Sequence, residues 1–132
     1  MSITYSTTLI PETQQIIEVY ESAGLKRPIN DFDRIKQMYT HSNLVVSAWD
    51  GEQLVGIARS LADFCYVCYL ADLAVREEYK SKGIGKQLIK LTKDIIGEQS
   101  TLILLSAAGA MTYYPHVGMQ SINNGFIINR TQ

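Results

Sequence analysis

The segment from Val75 to Leu88 joins a buried strand to an amphipathic helix through a loop rich in glycine and lysine. An apolar run that begins at Tyr66 precedes this loop, and its length and composition are typical of a strand. The loop itself contains Gly83 and Gly85, which leave the backbone open to close approach. After it, apolar side chains recur at helical spacing, at Ile84, Leu88, Leu91 and Ile95. The pattern therefore predicts a strand, a tight loop and a helix, in that order.

The start of this helix is suited to an anion. Its first backbone N–H groups have no partner within the helix and carry partial positive charge. Lys80, Lys82 and Lys86 add positive charge at the end of the helix where it is least favourable, which indicates that an anion such as a phosphate binds among them. The alternative is a solvated lysine cluster beside an ordinary glycine turn, because a short G-x-G alone is weak evidence.

Composition excludes several classes of protein. With 132 residues, of which 46% are apolar and 19% charged, the chain is typical of one globular domain. A net charge of −1 gives no support to binding of nucleic acid or of a membrane surface. The stretch from Met1 to Leu9 does not have the pattern of a signal peptide, and no apolar run is long enough to span a bilayer. We therefore predict a cytoplasmic protein with a single domain over residues 1–132.

Cys65 and Cys68 form a C-x-x-C within a segment that reads as strand. Residues three apart in a strand point to opposite faces, so their sulfur atoms should diverge. His41 and His116 do not have the spacing of zinc ligands. We expect two unpaired thiols and no metal.

The remaining patterns predict alternating helices and strands. Pro11 is suited to the first turn of a helix that ends at Gly24, and Asn30 could cap a second helix. Strand-like runs on both sides of Asp50-Gly51 predict a hairpin. The other predicted elements are a first strand at 3–7, a buried parallel strand at 101–105, a short helix at 107–114 ended by Pro115, and one or two final strands within 119–129.

Asp72 is the one acid in the apolar strand that ends at Val75. Strict alternation along this strand predicts that Asp72 shares a face with Cys68 and Leu70, and that Leu73 lies on the other face. One mixed sheet with helices on both faces is the economical way to bury these elements.

These elements, in this order, resemble the GNAT N-acetyltransferase superfamily, most specifically in two motifs. The family's cofactor motif, Q/R-x-x-G-x-G/A, follows a strand and corresponds here to residues 80–85, Lys-Ser-Lys-Gly-Ile-Gly. A Phe-Tyr pair followed three residues later by Gly-Phe corresponds to Tyr113-Tyr114 and Gly118-Met119. Three positions depart from the pattern: Lys80 replaces Gln or Arg, Met119 replaces Phe, and Pro115 directly follows Tyr114 and could re-aim it.

The resemblance implies a mixed α/β fold, with a central, mostly antiparallel sheet and helices on both faces. It implies an enzyme that transfers the acetyl group of acetyl-CoA directly to a primary amine, expected to be a small molecule, without a metal. The diphosphate of acetyl-CoA would bind the glycine loop, and its pantetheine arm would pair with the strand before it, which splays from the strand at 101–105. The implied cofactor-binding residues are Leu73, Ala74, Val75, Lys80, Ser81, Lys82, Gly83, Ile84, Gly85 and Lys86.

The resemblance also implies roles in catalysis. Tyr114 matches the general acid that protonates the leaving thiolate, and a phenol of pKa about 10 is close enough to a thiol of about 8.5 for that transfer. The alternative for Tyr114 is a core aromatic residue. Asp72, beside the implied thioester site, is the first candidate for the base, directly or through a water. It could equally orient the ammonium or satisfy a neighbouring backbone group, an ordered water could replace it, and His116 is a weaker candidate.

For the acceptor, the resemblance points to the segments 24–30 and 63–66. Acidic side chains near them would suit a cationic amine, namely Glu21, Asp31, Asp33 and Asp63. An alternative function, of a different class, is that of a catalytically weak acetyl-CoA-binding module that regulates a partner protein. By the same resemblance, a homodimer through the C-terminal strands is possible.

Overall fold

A computed structural model describes residues 2–132, so Met1 of the predicted domain lies outside the described residues. Its centre is a five-stranded sheet whose strands lie in chain order. The first four strands pair with one another in antiparallel fashion, and the fifth pairs with the fourth in parallel. The strands are β1 (Thr4–Ser6), β2 (Leu44–Asp50), β3 (Gln53–Ala62), β4 (Val67–Val75) and β5 (Thr101–Ile103).

Helices cover both faces of the sheet, as the sequence predicts. They are α1 (Thr13–Ala23), α2 (Phe32–Thr40), α3 (Ile84–Ile96) and the single turn α4 (Tyr113–His116). On one face, α1 and α2 bury Ile16, Tyr20 and Ile35 against the sheet. On the other face, α3 buries Ile84 and Leu88. The mixed, mostly antiparallel fold is therefore confirmed.

A β-bulge at Ala71 divides β4 into two halves with opposite orientation. Leu70 and Asp72 pair with adjacent residues of β3, so Ala71 is left without a partner in the register. Before the bulge, Cys68 and Leu70 pack under α3, and after it Ala74 packs under α1 and α2. The prediction that Asp72 shares a face with Cys68 and Leu70 is wrong, because the extra residue turns the rest of the strand over.

Strands β4 and β5 separate soon after they meet. Their pairing is limited to Val67–Tyr69 with Thr101–Ile103. From Leu70 to Val75, β4 has β3 on one side and an open edge on the other. The splay implied by the resemblance is therefore present, and we call the space beside this part of β4 the β4–β5 gap.

Several predicted boundaries are corrected. Helix α1 begins at Thr13 rather than at Pro11, and the N-cap of α2 is Asp31 rather than Asn30. Pro115 does not end a helix but lies inside α4. As the third residue of a one-turn helix, it occupies the part of a helix where an N–H has no intrahelical acceptor to lose.

The final strands predicted within 119–129 are not formed. Residues 119–132, which we call the C-terminal tail, have an irregular backbone. Strand-forming side chains need a neighbouring strand, and within residues 2–132 the tail has none.

Candidate functional site

The loop between β4 and α3 has the backbone of a tight, anion-binding turn. Ser81 and Gly83 adopt positive φ angles of 65° and 83°, and Gly83 is the N-cap of α3. A left-handed conformation at Gly83 costs little because glycine has no Cβ. Ser81, by contrast, holds a conformation that is uncommon for a residue with a side chain, a type of strain that is often found at functional sites.

The backbone N–H groups from Ser81 to Lys86 have no hydrogen-bond acceptor among residues 2–132. The next N–H along the chain, that of Gln87, donates to the carbonyl oxygen of Gly83 over 3.1 Å and begins the helical pattern. A run of free N–H groups at a helix start attracts an anion with several oxygen atoms. The geometry therefore fits a diphosphate at the loop predicted to bind one.

The lysines of this loop differ in their surroundings. Lys80 is engaged elsewhere, because its Nζ lies 2.8 Å from a carboxylate oxygen of Glu77 and 3.2 Å from the carbonyl oxygen of Ala23. Within the described chain, Lys82 and Lys86 have no acid at ion-pair distance. Two ammonium groups therefore remain free for an anion beside the loop.

Gly85 has no room for a side chain, a constraint that its sequence motif does not indicate. A Cβ built on Gly85 would lie 2.5 Å from the hydroxyl oxygen of Tyr113. Real Cβ atoms do not approach other atoms this closely, so the tyrosine occupies the place that a side chain would need. This contact brings α4 against the start of α3, and the two sequence motifs meet there.

The open edge of β4 directs backbone groups into the β4–β5 gap. The N–H of Arg76 donates to the carbonyl oxygen of Val55, over 2.8 Å, toward the β3 side. Because backbone groups of successive strand residues point to alternate sides, those of Ala74 also face β3, whereas those of Leu73 and Val75 face the gap. The gap therefore presents unpaired backbone donors and acceptors to an extended ligand.

Tyr114 is half-buried beside Tyr113, and the two ring centroids lie 5.2 Å apart in an edge-to-face arrangement. Both rings pack against the core under α3. Burial raises the pKa of the Tyr114 phenol and the neighbouring Tyr113 adds to the rise, while the positive charge of Arg27 partly opposes it. The phenol is therefore protonated at neutral pH and able to donate a proton.

Asp72 is fully surrounded by donors on the face covered by α1 and α2. Its Oδ1 accepts a hydrogen bond from Arg27 Nε over 2.5 Å. Its Oδ2 accepts bonds from Arg59 Nε over 2.6 Å and from the Tyr20 hydroxyl over 2.7 Å. Since the single proton of the Tyr20 hydroxyl is used here, the Tyr39 hydroxyl donates to the Tyr20 oxygen over 2.5 Å.

This network keeps Asp72 ionised. Burial alone would raise the pKa of the Asp72 carboxyl, but the hydrogen bond and charge of Arg59, the hydrogen bond of Tyr20 and the charge of Arg27 lower it below its usual value. Burial is also the main reason that the pKa of Tyr20 is raised well above 10.0. A carboxylate held in this way is a poor proton acceptor at neutral pH.

The arginines of this network were not singled out from the sequence. Arg27 lies in the loop between α1 and α2 and Arg59 in β3, at sequence separations of 45 and 13 from Asp72. The signal that could have found them is Asp72 itself. A lone acid inside an apolar strand is seldom buried without a cationic partner.

The acids expected to attract a cationic acceptor have other partners or lie on the surface. The side chain of Asp31 accepts a bond from the N–H of Arg34 and caps α2. Asp63 accepts bonds from three consecutive N–H groups, beginning at Cys65, and these bonds lower its pKa to about 2. Glu21 and Asp33 are exposed on α1 and α2.

Cys65 and Cys68 are both free, the first exposed and the second buried, and His116 is exposed. No group of three or more His, Cys, Asp or Glu side chains in residues 2–132 has the arrangement of a metal site. Within the same part of the chain, no helix combines the length and the apolar character that a membrane crossing requires.

The chain matches the family model for the acetyltransferase (GNAT) family over residues 11–119. This match covers most of the chain and includes the glycine loop, the β4–β5 gap and both tyrosines of α4. The protein therefore belongs to the GNAT acetyltransferase family. No curated protein sequence matches it significantly.

Solved structures agree in fold at low sequence identity. A protein of unknown function from meticillin-resistant Staphylococcus aureus has a TM-score of 0.78 at 18% identity, with 98% of this chain and 100% of that chain covered. A GNAT family protein from Streptococcus pneumoniae has a TM-score of 0.74 at 23% identity, covering 98% and 99%. An aminoglycoside acetyltransferase from an uncultured soil metagenomic sample, in complex with trehalose, has a TM-score of 0.75 at 19% identity, covering 98% and 96%.

Proposed function

We propose that this protein is an acetyl-CoA-dependent N-acetyltransferase that transfers the acetyl group directly to the primary amine of a small molecule. One observation carries the proposal: the free N–H groups from Ser81 to Lys86 lie at the end of a strand whose outer edge is open. A diphosphate at the loop and an extended arm along the gap would satisfy both sets of backbone groups. Family membership supports the same ligand.

The binding roles follow from these positions. The N–H groups from Ser81 to Lys86 bind the diphosphate, and the ammonium groups of Lys82 and Lys86 balance its charge. The backbone groups of Leu73 and Val75 pair with the pantetheine arm as a neighbouring strand would. Ala74, which was expected to bind it too, directs its own backbone groups to β3. When bound, acetyl-CoA supplies the acetyl group as a thioester, and an N–H of Leu73 or Val75 stabilises the charge that develops on its oxygen. Lys80 contributes less, because its ammonium pairs with Glu77.

The proton steps divide between two places. Tyr114 donates a proton to the leaving thiolate, a role supported by its protonated state and by its position beside the loop that Tyr113 contacts. The attacking amine loses its proton to water in this proposal. Asp72 remains ionised and holds Arg27 and Arg59 in place, because its lowered pKa makes it a weak base.

The test measures free thiol released from acetyl-CoA with a panel of primary amines. We expect Tyr114→Phe to lower kcat by roughly 100- to 10,000-fold, the usual contribution of a general acid, with unchanged affinity for acetyl-CoA. Tyr5→Phe is the matched control, because Tyr5 lies in β1, at the edge of the sheet away from β4, and the change should leave both quantities unchanged. Equal kcat for the wild type and Tyr114→Phe would remove Tyr114 from the mechanism.

The same assay separates the enzyme from an acetyl-CoA-binding module that regulates a partner protein. Tight binding of acetyl-CoA without thiol release from any amine in the panel would favour that module. Absence of binding would contradict both functions.

Two further expectations belong to this proposal. A homodimer formed by the C-terminal tail is supported by the exposure of its apolar side chains, among them Phe126 and Ile128. A cytoplasmic location remains a prediction from the sequence.

A further inference from the structure

Two guanidinium groups share one carboxylate beside the β4–β5 gap. Arg27 and Arg59 both bond to Asp72, at 2.5 and 2.6 Å. Within residues 2–132, neither arginine has a second acid at ion-pair distance. Two positive charges against one negative charge leave this cluster with a net charge of +1.

The other members of the cluster do not balance this charge. Tyr20 and Tyr39 are phenols whose pKa burial raises above 10.0, so both are neutral at physiological pH. The other hydrogen-bond acceptors of the two arginines are neutral as well. The Ser42 hydroxyl accepts a bond from Arg59 Nη1 over 3.1 Å, and Arg27 donates to backbone carbonyl oxygens. An unbalanced charge in a half-buried position is costly, and a bound anion would relieve that cost.

Arg27 places the excess charge at the gap itself. Its Nη2 donates to the carbonyl oxygen of Ala71, over 2.9 Å, at the bulge. Pairing of β4 with β5 ends at Tyr69, so this bond lies where the gap begins. The Arg27 side chain is 26% exposed, against 12% for Arg59, so Arg27 is the more accessible of the two guanidinium groups.

The guanidinium of Arg27 has N–H donors that are not used within the protein. Nη2 bonds to Ala71 and Nη1 to the carbonyl oxygen of Lys26, and each of these nitrogens carries a second N–H. These second N–H groups have no acceptor among the described residues. A pair of donors at the end of a planar guanidinium matches the two oxygens of a carboxylate or of a phosphate.

We propose that the acceptor is an amine that also carries an anionic group, a carboxylate or a phosphate, and that Arg27 binds this group at the mouth of the β4–β5 gap. This inference rests on the proposed acetyl transfer and narrows its substrate class. It replaces the expectation of a purely cationic acceptor. The acids that were expected to attract a cation either act as caps, of α2 and of the turn before β4, or lie on the surface. An arginine, by contrast, lies at the gap.

The test compares acceptors that differ only in the anion. We would measure kcat/KM, per free amine, for 4-aminobutanoate against its amide and for phosphoethanolamine against ethanolamine, with 1,4-diaminobutane as a dication. A charge-assisted hydrogen bond predicts a preference of roughly 10- to 100-fold for the anionic member of at least one pair. The pair that shows it distinguishes a carboxylate from a phosphate.

Variants of Arg27 then separate recognition from support of the fold. In Arg27→Gln the ratio of anionic to neutral acceptor should fall toward one, and Arg27→Lys should keep part of it because the charge remains. Arg34→Gln is the matched control: Arg34 is exposed on α2, and its side chain bonds only to the carbonyl oxygen of Gln132 within the described chain. That control should keep the wild-type ratio.

Three outcomes would overturn the inference. A wild type that uses the amide, ethanolamine or the diamine as well as the anionic acceptors would contradict it and leave acetyl transfer intact. An equal loss on both members of a pair in Arg27→Gln, or in Arg27→Lys if the first variant does not fold, would show that Arg27 is only structural. Binding of acetyl-CoA without thiol release from any acceptor would contradict the proposed function itself, and this inference with it.

Discussion

Asp72 is an acid that the protein buries inside a sheet and surrounds with charge. Its side chain is inaccessible to solvent, and it accepts bonds from Arg27, Arg59 and Tyr20. Removing one partner from a buried ion pair leaves the other charge unbalanced, which costs more than the pair contributes when intact. At the scale of one residue, the network therefore matters first for stability.

We expect Asp72→Asn to lower the free energy of unfolding by about 3–5 kcal/mol, because both arginines lose their carboxylate. Urea denaturation would measure the change. Asp94→Asn is the matched control, since Asp94 forms an exposed pair with Lys90 and should cost no more than about 0.5 kcal/mol. Similar losses in the two variants would contradict a stabilising role for the network.

The lowered pKa of Asp72 predicts an acid limb in the stability profile. The folded protein binds this proton more weakly than the unfolded chain. The stabilisation is therefore complete above the unfolded pKa of about 3.9 and is lost as pH falls through the folded value. Asp63, with a pKa of about 2, contributes to the same limb.

We expect wild-type stability to fall below about pH 4, and Asp72→Asn to show a shallower decline to which Asp63 still contributes. Unfolding free energies from urea curves at a series of acidic pH values would show it. Identical slopes in the two proteins would mean that Asp72 has the same pKa in the folded and unfolded chains.

Gly85 and Tyr113 should behave as a coupled pair. A methyl group at Gly85 would overlap the Tyr113 hydroxyl, so we expect Gly85→Ala to destabilise the protein by about 1–3 kcal/mol. Adding Tyr113→Phe removes the overlapping oxygen and should restore part of the loss. Thermal or urea denaturation of the single and double variants would measure the coupling.

Gly83→Ala is the control for this cycle. A Cβ at Gly83 would meet nothing within 4 Å, but the φ angle of 83° strains any side chain. Its loss should be unchanged by Tyr113→Phe. Equal rescue at both glycines would contradict a specific contact between Gly85 and Tyr113.

At the scale of elements, the packing of α3 on the sheet sets where the loop lies. Gly56 of β3 pairs with Val75 at the end of β4 and faces the first turn of α3. A Cβ at Gly56 would lie 3.1 Å from a methyl carbon of Ile84 and 3.2 Å from one of Leu88. The helix start and the strand end therefore approach closely because one residue lacks a side chain.

We expect Gly56→Val to destabilise the protein by about 1–3 kcal/mol, since branched carbons would push against α3. It should also weaken acetyl-CoA binding if the loop binds the diphosphate, because the displaced residue Ile84 begins the helix. Calorimetry and urea denaturation would measure the two effects. Gly109→Val is the control, as a Cβ there meets nothing within 4 Å; an effect of similar size at Gly109 would contradict the packing argument.

At the scale of the whole molecule, the C-terminal tail is the part without a core. Phe126 and Ile128 are each 99% exposed, and Ile122 and Ile127 are more than half exposed. Apolar side chains in this number are unfavourable in water and commonly mark an interface. In the proposed dimer, a second copy of the chain would cover these side chains.

We expect the protein to be dimeric in solution and the double variant Phe126→Ser with Ile128→Ser to be monomeric, because burial of those side chains would hold the copies together. Analytical ultracentrifugation over a range of concentrations would measure the mass. Asn129→Ser should leave the dimer intact. A monomeric wild type at high concentration would contradict the proposal.

Features that depend on residues close together in the chain could be predicted from the sequence. The strand, glycine loop and helix around residues 75–88 follow from composition and spacing, and the hairpin at Asp50-Gly51 follows from its turn residues. These patterns act within a few residues, where the chain has few alternatives. The two family motifs were found in the same way, although their contact through Gly85 and Tyr113 was not.

The bulge at Ala71 and the partners of Asp72 depend on contacts between distant parts of the chain. A bulge reverses every side chain beyond it, and it arises from the fit of β4 to β3 rather than from the local sequence. Arg27 and Arg59 lie far from Asp72 along the chain, so only folding brings their charges together. Pro115 within α4 and the unpaired C-terminal tail have the same cause. The helix or strand propensity of a short segment is overridden where the surrounding fold sets the path of the backbone.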